Sequence, residues 1–182
     1  MPELNDDVVA AAVAGEEGAL AAVYAALSPK VLAYLRARGA EDAEGLTNEV
    51  FLHVIRRLEG LVGGADGLRT FVFSVAHARF VDEVRRRARR PSEAPYHPEL
   101  DHRSEPSAET AVLTGPRGGH LAEALSRLGE DQRSVVTLRV LGDLSLEQTA
   151  EVLGRSVGSV KQLQRRGLMT LRALVDRGEV AL

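Results

Sequence analysis

Lys161, Gln162, Arg165 and Arg166 recur on one side of a stretch whose other side carries Val160, Leu163, Gly167, Leu171 and Leu174. Cations on such a face neutralise phosphates, and Lys, Gln and Arg also reach the donor and acceptor edges of a major groove. Ser156 stands where it can cap that helix, with Ser159 in its first turn. Just upstream, Ser145 and Gln148 have capping-box spacing, Leu146, Ala150 and Leu153 mark an apolar face, and Gly154 supplies a left-handed stop. Two short helices around a glycine turn, within Leu144–Arg172, read as a helix-turn-helix with a basic outer helix. The plainer alternative is a helical hairpin buried in a core, and the outward Lys-Gln-Arg-Arg set argues against it.

A second concentration of charge closes the segment Leu68 to Arg90, where Arg85, Arg86, Arg87, Arg89 and Arg90 fall within six residues. One or two cations would satisfy a helix C-terminus, so five point to phosphate contact. The same segment carries two apolar stripes, Leu68, Val72 and Val75 on one and Phe73, His77, Phe80 and Val84 on the other. A helix apolar on two sides is either sandwiched in a core or offers aromatics to a partner.

Other chemistries find little support. The chain has no cysteine, which excludes disulfides, thiolate metal sites and thiol catalysis. Gly154-Arg155-Ser156-Val157-Gly158 matches a nucleophile-elbow pattern, but a helix stands where a strand is needed and no histidine follows His120. The glycine-rich Gly60–Gly67 lacks a preceding strand and any dinucleotide or phosphate-loop spacing. His97, Glu99, Asp101 and His102 lie in a Pro-rich loop with nothing to orient metal ligands, so no metal and no cofactor is expected. Carboxylate clusters suited to a metal nuclease are missing, and the protein reads as a binder rather than an enzyme.

The elements that position these residues are helical. Residues 6–38 read as two or three helices, with Pro29 at a start or a kink, and a further helix follows the Ala40–Glu44 turn. On that helix Leu46, Val50, His53 and Val54 trace one face. Leu121–Leu128 and Asp131–Leu141 form the scaffold for the helix-turn-helix. Five of the seven prolines fall between Pro91 and Pro116, which marks a flexible linker. The expected architecture is therefore all-α: a first domain over residues 1–92, an acidic linker over 93–115, and a helix-turn-helix domain over 116–182.

Net charge is −3, but it is segregated. Residues 1–50 carry −6, 51–90 carry +5, 91–115 carry −4 and 116–182 carry +2. That pattern predicts an acidic surface facing protein, two basic surfaces facing DNA and an acidic connector. The uncharged apolar run Val8–Ala14 is far too short to span a bilayer, and the acidic N-terminus is unlike a signal peptide. A cytoplasmic location with no membrane insertion is expected.

Taken in order, these parts resemble an extracytoplasmic-function (ECF) sigma factor of the sigma-70 family. Gln132-Arg133, Val136, Leu138-Arg139, Leu144 to Ala150 and Ser156 to Lys161 follow the region 4 pattern nearly position by position. Asp42-Ala43-Glu44-Gly45-Leu46-Thr47-Asn48-Glu49-Val50-Phe51 is similar to the region 2.2 helix, and Leu68 to Arg87 to the promoter-melting segment. There Leu68, Phe71 and Ala78 replace the usual Phe, Trp and Asn, and Ala78 lacks the amide that commonly lies near the flipped −10 base. Asp143 stands where the family often has Gly, a left-handed position that Asp tolerates.

The resemblance implies promoter-specific transcription initiation with core RNA polymerase and promoter DNA as partners. By it, Asp42, Glu44, Leu46, Asn48, Glu49 and Phe51 dock on the polymerase clamp helices. Phe71, His77, Arg79, Arg85 and Arg86 act at the −10 element, and Ser156, Ser159, Lys161, Gln162, Arg165 and Arg166 at the −35 element. It also implies control by an anti-sigma protein covering the polymerase-binding faces. The rival reading is a stand-alone helix-turn-helix transcriptional regulator acting without polymerase docking, which would bind a palindromic site by itself.

Overall fold

A computed structural model describes residues 4–89 and 116–180, with side chains from His120 onward in the second stretch. Every regular element among the described residues is a helix. In chain order they are α1 (Asp6–Val13), α2 (Glu17–Arg38), α3 (Ala43–Ile55), a 3-10 turn at Leu58–Gly60, and α4 (Gly64–Arg89). After the interval come α5 (Pro116–Ser126), α6 (Glu130–Val140), α7 (Leu146–Leu153) and α8 (Val157–Asp176). The expected linker and the candidate cluster His97, Glu99, Asp101 and His102 lie outside the described residues.

α2, α3 and α4 pack around Leu27, Val31, Leu35, Val50, Val54, Leu68, Val72 and Phe73, all essentially without solvent exposure. Both apolar stripes of α4 are occupied, so the sandwiched alternative is the one realised. Leu68 and Val72 are buried on one side, Phe73 and Phe80 on the other. α4 starts at Gly64, four residues before the apolar pattern begins, because Asp6 on α1 accepts a 2.8 Å hydrogen bond from the Ala65 amide and holds that start. Gly63 (φ 92°) and Gly64 (φ 57°) make the turn into it.

Pro29 neither starts nor ends a helix: α2 runs through it as one helix of 22 residues. α2 is long and apolar enough by length and composition to cross a membrane, which the short run Val8–Ala14 did not suggest. Its Val23, Leu27, Val31, Tyr34 and Leu35 are instead buried in the core.

The second half has its own small core, Val135, Ala150 and Val160, flanked by Leu146, Leu153, Val157 and Leu163. α6 and α8 approach closely at Gly167, where an added Cβ would lie 2.9 Å from Val136 Cγ2. Leu138 and Leu144 do not join this core. They are buried in the cluster built by the first half, so the two halves share apolar packing.

Candidate nucleic-acid interface

The helix-turn-helix forms as its local signals dictate. Ser145 Oγ accepts from the Gln148 amide at 3.1 Å, and the Ser145 amide donates to Gln148 Oε1 at 2.6 Å. Each bond satisfies a backbone or side-chain group that an uncapped α7 would leave unpaired. Gly154 (φ 61°) ends α7 left-handed, and Ser156 starts α8 by accepting from the Ser159 amide at 3.2 Å. Arg155 braces the turn against α6 through Asp131 at 2.7 Å. Val160 is fully buried in the angle between α7 and α8.

Burying that stripe forces the opposite face outward. Ser156, Lys161, Gln162, Arg165 and Arg166 are exposed and Ser159 is half-buried. The structure therefore brings all six expected residues to the first half of one amphipathic helix. Leu168 (46% exposed) and Met169 (60%) continue that surface among Lys161, Arg165 and Arg172.

On α4 the expected residues divide. Phe71 is half-buried, 6.4 Å from the His53 ring, and lines a cleft of about 470 Å³ with Arg57, Leu61, Thr70, Ser74 and, from α7, Glu151. Partial desolvation, then the guanidiniums of Arg57, Arg79 and Arg56, hold His53 below the ordinary histidine range, which places these cations around one spot. Arg85 and Arg86 are exposed farther along α4, Arg85 within 3.8 Å of Asp82. Phe71, Arg79, Arg85 and Arg86 fall on one broad side at helical phase. Ala78 is exposed, while Leu68 is buried in the core.

His77 does not join them. Its Nδ1 shares a 2.9 Å hydrogen bond with the hydroxyl of Tyr34 on α2. Burial, then the nearby Arg38, lowers its pKa, and burial raises that of Tyr34. Arg56 and Arg57 carry no local sequence signal beyond membership of the +5 block, because they fall after the last apolar repeat of α3.

On α3, Asp42 caps the helix by accepting from the Gly45 amide at 2.8 Å, Glu44 pairs with Arg36, and Asn48 and Glu49 are exposed. Leu46 and Phe51, expected on the docking face, are turned inward: 5% and 3% exposed, with Phe51 edge-on to Tyr24 at 4.8 Å. Their spacing with Val50 and Val54 commits them to the core. The apolar residues left on the surface of α3 are Leu52 and Ile55, 57% and 46% exposed, which the sequence pattern did not single out.

A two-part helical protein, with a helix-turn-helix in its second half and, in its first, an aromatic cleft beside arginines, is the class these sites define. The sigma-70 region 2 family matches residues 23–90, and the sigma-70 region 4 family matches residues 124–173. The ECF RNA polymerase sigma factor ShbA of Streptomyces griseus is 31% identical over 91% of this chain and 92% of its own length. SigD of Mycobacterium tuberculosis, also an ECF RNA polymerase sigma factor, is 32% identical, covering 98% of this chain and 88% of its own. BldN of Streptomyces coelicolor is 33% identical, and the chain spans 65% of its length. In fold, CnrH, solved with the cytosolic domain of CnrY, superposes with a TM-score of 0.67 at 20% identity, covering 94% of this chain and 97% of CnrH. The chain belongs to the ECF RNA polymerase sigma factors of the sigma-70 family.

Proposed function

We propose that the protein directs core RNA polymerase to promoters, with residues 1–92 binding polymerase and opening the −10 element and residues 116–182 reading the −35 element. The observation that carries this reading is the pairing, in one chain, of an outward Lys161-Gln162-Arg165-Arg166 face with a cleft lined by Phe71 and Arg57, beside which Arg56 and Arg79 also lie. Duplex is read by the first: Gln162, Arg165 and Arg166 present side chains to base edges while Ser156, Ser159 and Lys161 sit near the helix start and the phosphates. Unstacked strand is held by the second: Phe71 offers a ring for a base, and Arg57, Arg79, Arg85 and Arg86 offer charge to the backbone.

Docking on polymerase falls to the exposed side of α3, with Asp42, Glu44, Asn48 and Glu49 supplying charge and polarity and Leu52 and Ile55 the apolar contact. Leu46 and Phe51 support that helix from behind. The protein supplies specificity, and the polymerase supplies the chemistry. An anti-sigma protein covering the same α3 face would compete with polymerase.

A chain of net charge −3 binds DNA weakly by itself, because phosphate neutralisation dominates affinity. Gel-shift titration of promoter DNA with and without core polymerase tests the reading. A specific complex only when both proteins are present supports it. Tight binding to a palindromic site by the chain alone would favour the stand-alone regulator instead.

A further inference from the structure

His53 stands on α3, the helix that carries the docking face, yet its ring lies beside α4. The ring centroids of His53 and Phe71 are 6.4 Å apart and their planes are inclined at 45°, so the two are neighbours that do not stack on each other. Both side chains are half-buried, and each keeps part of its ring open to solvent. A base held between two rings sits one stacking spacing of ~3.4 Å from each, which sets the rings ~6.8 Å apart. The observed separation falls short of that by about 0.4 Å. Rotation about the broad terminal torsion of either ring brings the planes toward parallel.

The surroundings suit a nucleotide better than plain packing. Arg57, four residues after His53, lines the Phe71 cleft, and Arg56 and Arg79 lie close enough to act on the imidazole. Three guanidiniums around one half-exposed ring call for an anion, and phosphate matches the guanidinium fork. His77, six residues past Phe71, is committed to the Tyr34 hydroxyl at 2.9 Å and leaves this place to His53.

We propose that His53 is a second base platform of the strand-binding cleft: an unstacked base lies between its imidazole and the Phe71 ring, while Arg56, Arg57 and Arg79 hold the flanking phosphates. The proposal rests on the promoter reading given above, and it adds a residue of the docking helix to the DNA surface. The platform also carries a proton. In the free chain partial desolvation, then Arg57, Arg79 and Arg56, hold the ring below the ordinary histidine value of 6.5. Those arginines are the charged groups that act on it, and Glu151 of α7 lines the adjoining cleft. Phosphates that neutralise the arginines raise the proton affinity of the imidazole in the complex. The added affinity for strand is then full below the free-chain value and is lost as pH rises through the value in the complex. A ring that only packed against Phe71 would show neither base dependence nor proton uptake.

The test uses the full chain and two labelled 12-mers of equal backbone charge, oligo-thymidylate and an abasic strand, in anisotropy titrations at low ionic strength. His53→Leu should bind the thymidylate at least about fivefold more weakly and the abasic strand as the parent does. His53→Phe, which keeps a ring and loses the proton, should match the parent at about pH 8. It should lack the parent's gain of at least about threefold between about pH 8 and about pH 5.5. Thymidylate binding unchanged in His53→Leu, or both strands weakened alike, would overturn the platform. A gain toward low pH that survives in His53→Phe would overturn the coupled proton.

Promoter-directed initiation by the parent chain with core polymerase is scored separately. Initiation at defined sites without base-dependent strand binding sinks the platform alone. Base-dependent binding without initiation sinks the promoter reading and leaves the platform standing.

Discussion

Phe51 and Leu52 are neighbours in sequence, and the structure places the first in the core and the second on the surface. Phe51 is 3% exposed and packs edge-on against Tyr24, so Phe51→Ala opens a cavity and should cost about 3–5 kcal/mol of stability. Leu52 is 57% exposed, so Leu52→Asn should change stability by less than about 0.5 kcal/mol. If polymerase covers that surface, the exposed fraction of a leucine worth about 1.5–3 kcal/mol when wholly buried contributes about 1–1.5 kcal/mol. That corresponds to about a five- to tenfold weaker Kd for Leu52→Asn, with unchanged thermal melting. Fluorescence anisotropy of a labelled chain titrated with core polymerase, beside a melting curve for each variant, measures both quantities. Leu52→Asn binding polymerase as tightly as the parent would refute the placement of the docking face. So would a Phe51→Ala chain that melts normally yet fails to bind.

Further outcomes follow from the same geometry. Gly167→Ala gains about 1 kcal/mol of helix propensity but pushes a methyl onto the stiff Val136, and we expect a net loss of roughly 1–2 kcal/mol by chemical denaturation. Arg165→Ala should weaken −35 duplex binding by the polymerase complex and reduce the slope of log affinity against log salt by about 1 if it contacts phosphate, or relax base preference if it contacts a base. His77 has its pKa lowered in the fold by burial and by Arg38, so the unfolded chain takes up that proton at higher pH than the folded one. Stability is therefore full above the ordinary histidine value of 6.5 and declines as pH falls below it. Melting curves across that range should show the decline, and His77→Gln should reduce it, leaving the part that His53 contributes in the same direction.

Legibility in the sequence followed the range of each interaction. The helix-turn-helix could be read almost whole, because the Ser145–Gln148 box, the Gly154 stop and the Val160–Gly167 stripe act within one or two turns. The two apolar stripes of α4 were legible but left open whether a core or a partner covers them, and its start was not legible, because Asp6 fixes it from 59 residues away. Leu46 and Phe51 were assigned to a surface by likeness of pattern, while their apolar spacing already marked them as core. His77 shared the aromatic stripe of Phe73 and Phe80, and its partner Tyr34 lies on another helix. Nothing local distinguishes Arg38 from a solvated cation at a helix C-terminus. Its burial against Ser134 and Glu130 depends on how the two halves meet.

In vitro transcription with purified core polymerase, followed by mapping of transcript 5′ ends, decides whether the chain sets promoter choice. Adding the protein should move initiation to defined start sites, and Lys161, Gln162, Arg165 and Arg166 together replaced by Ala should abolish that choice while polymerase binding persists. Initiation unaffected by the protein, or start sites unchanged by the fourfold variant, would contradict it.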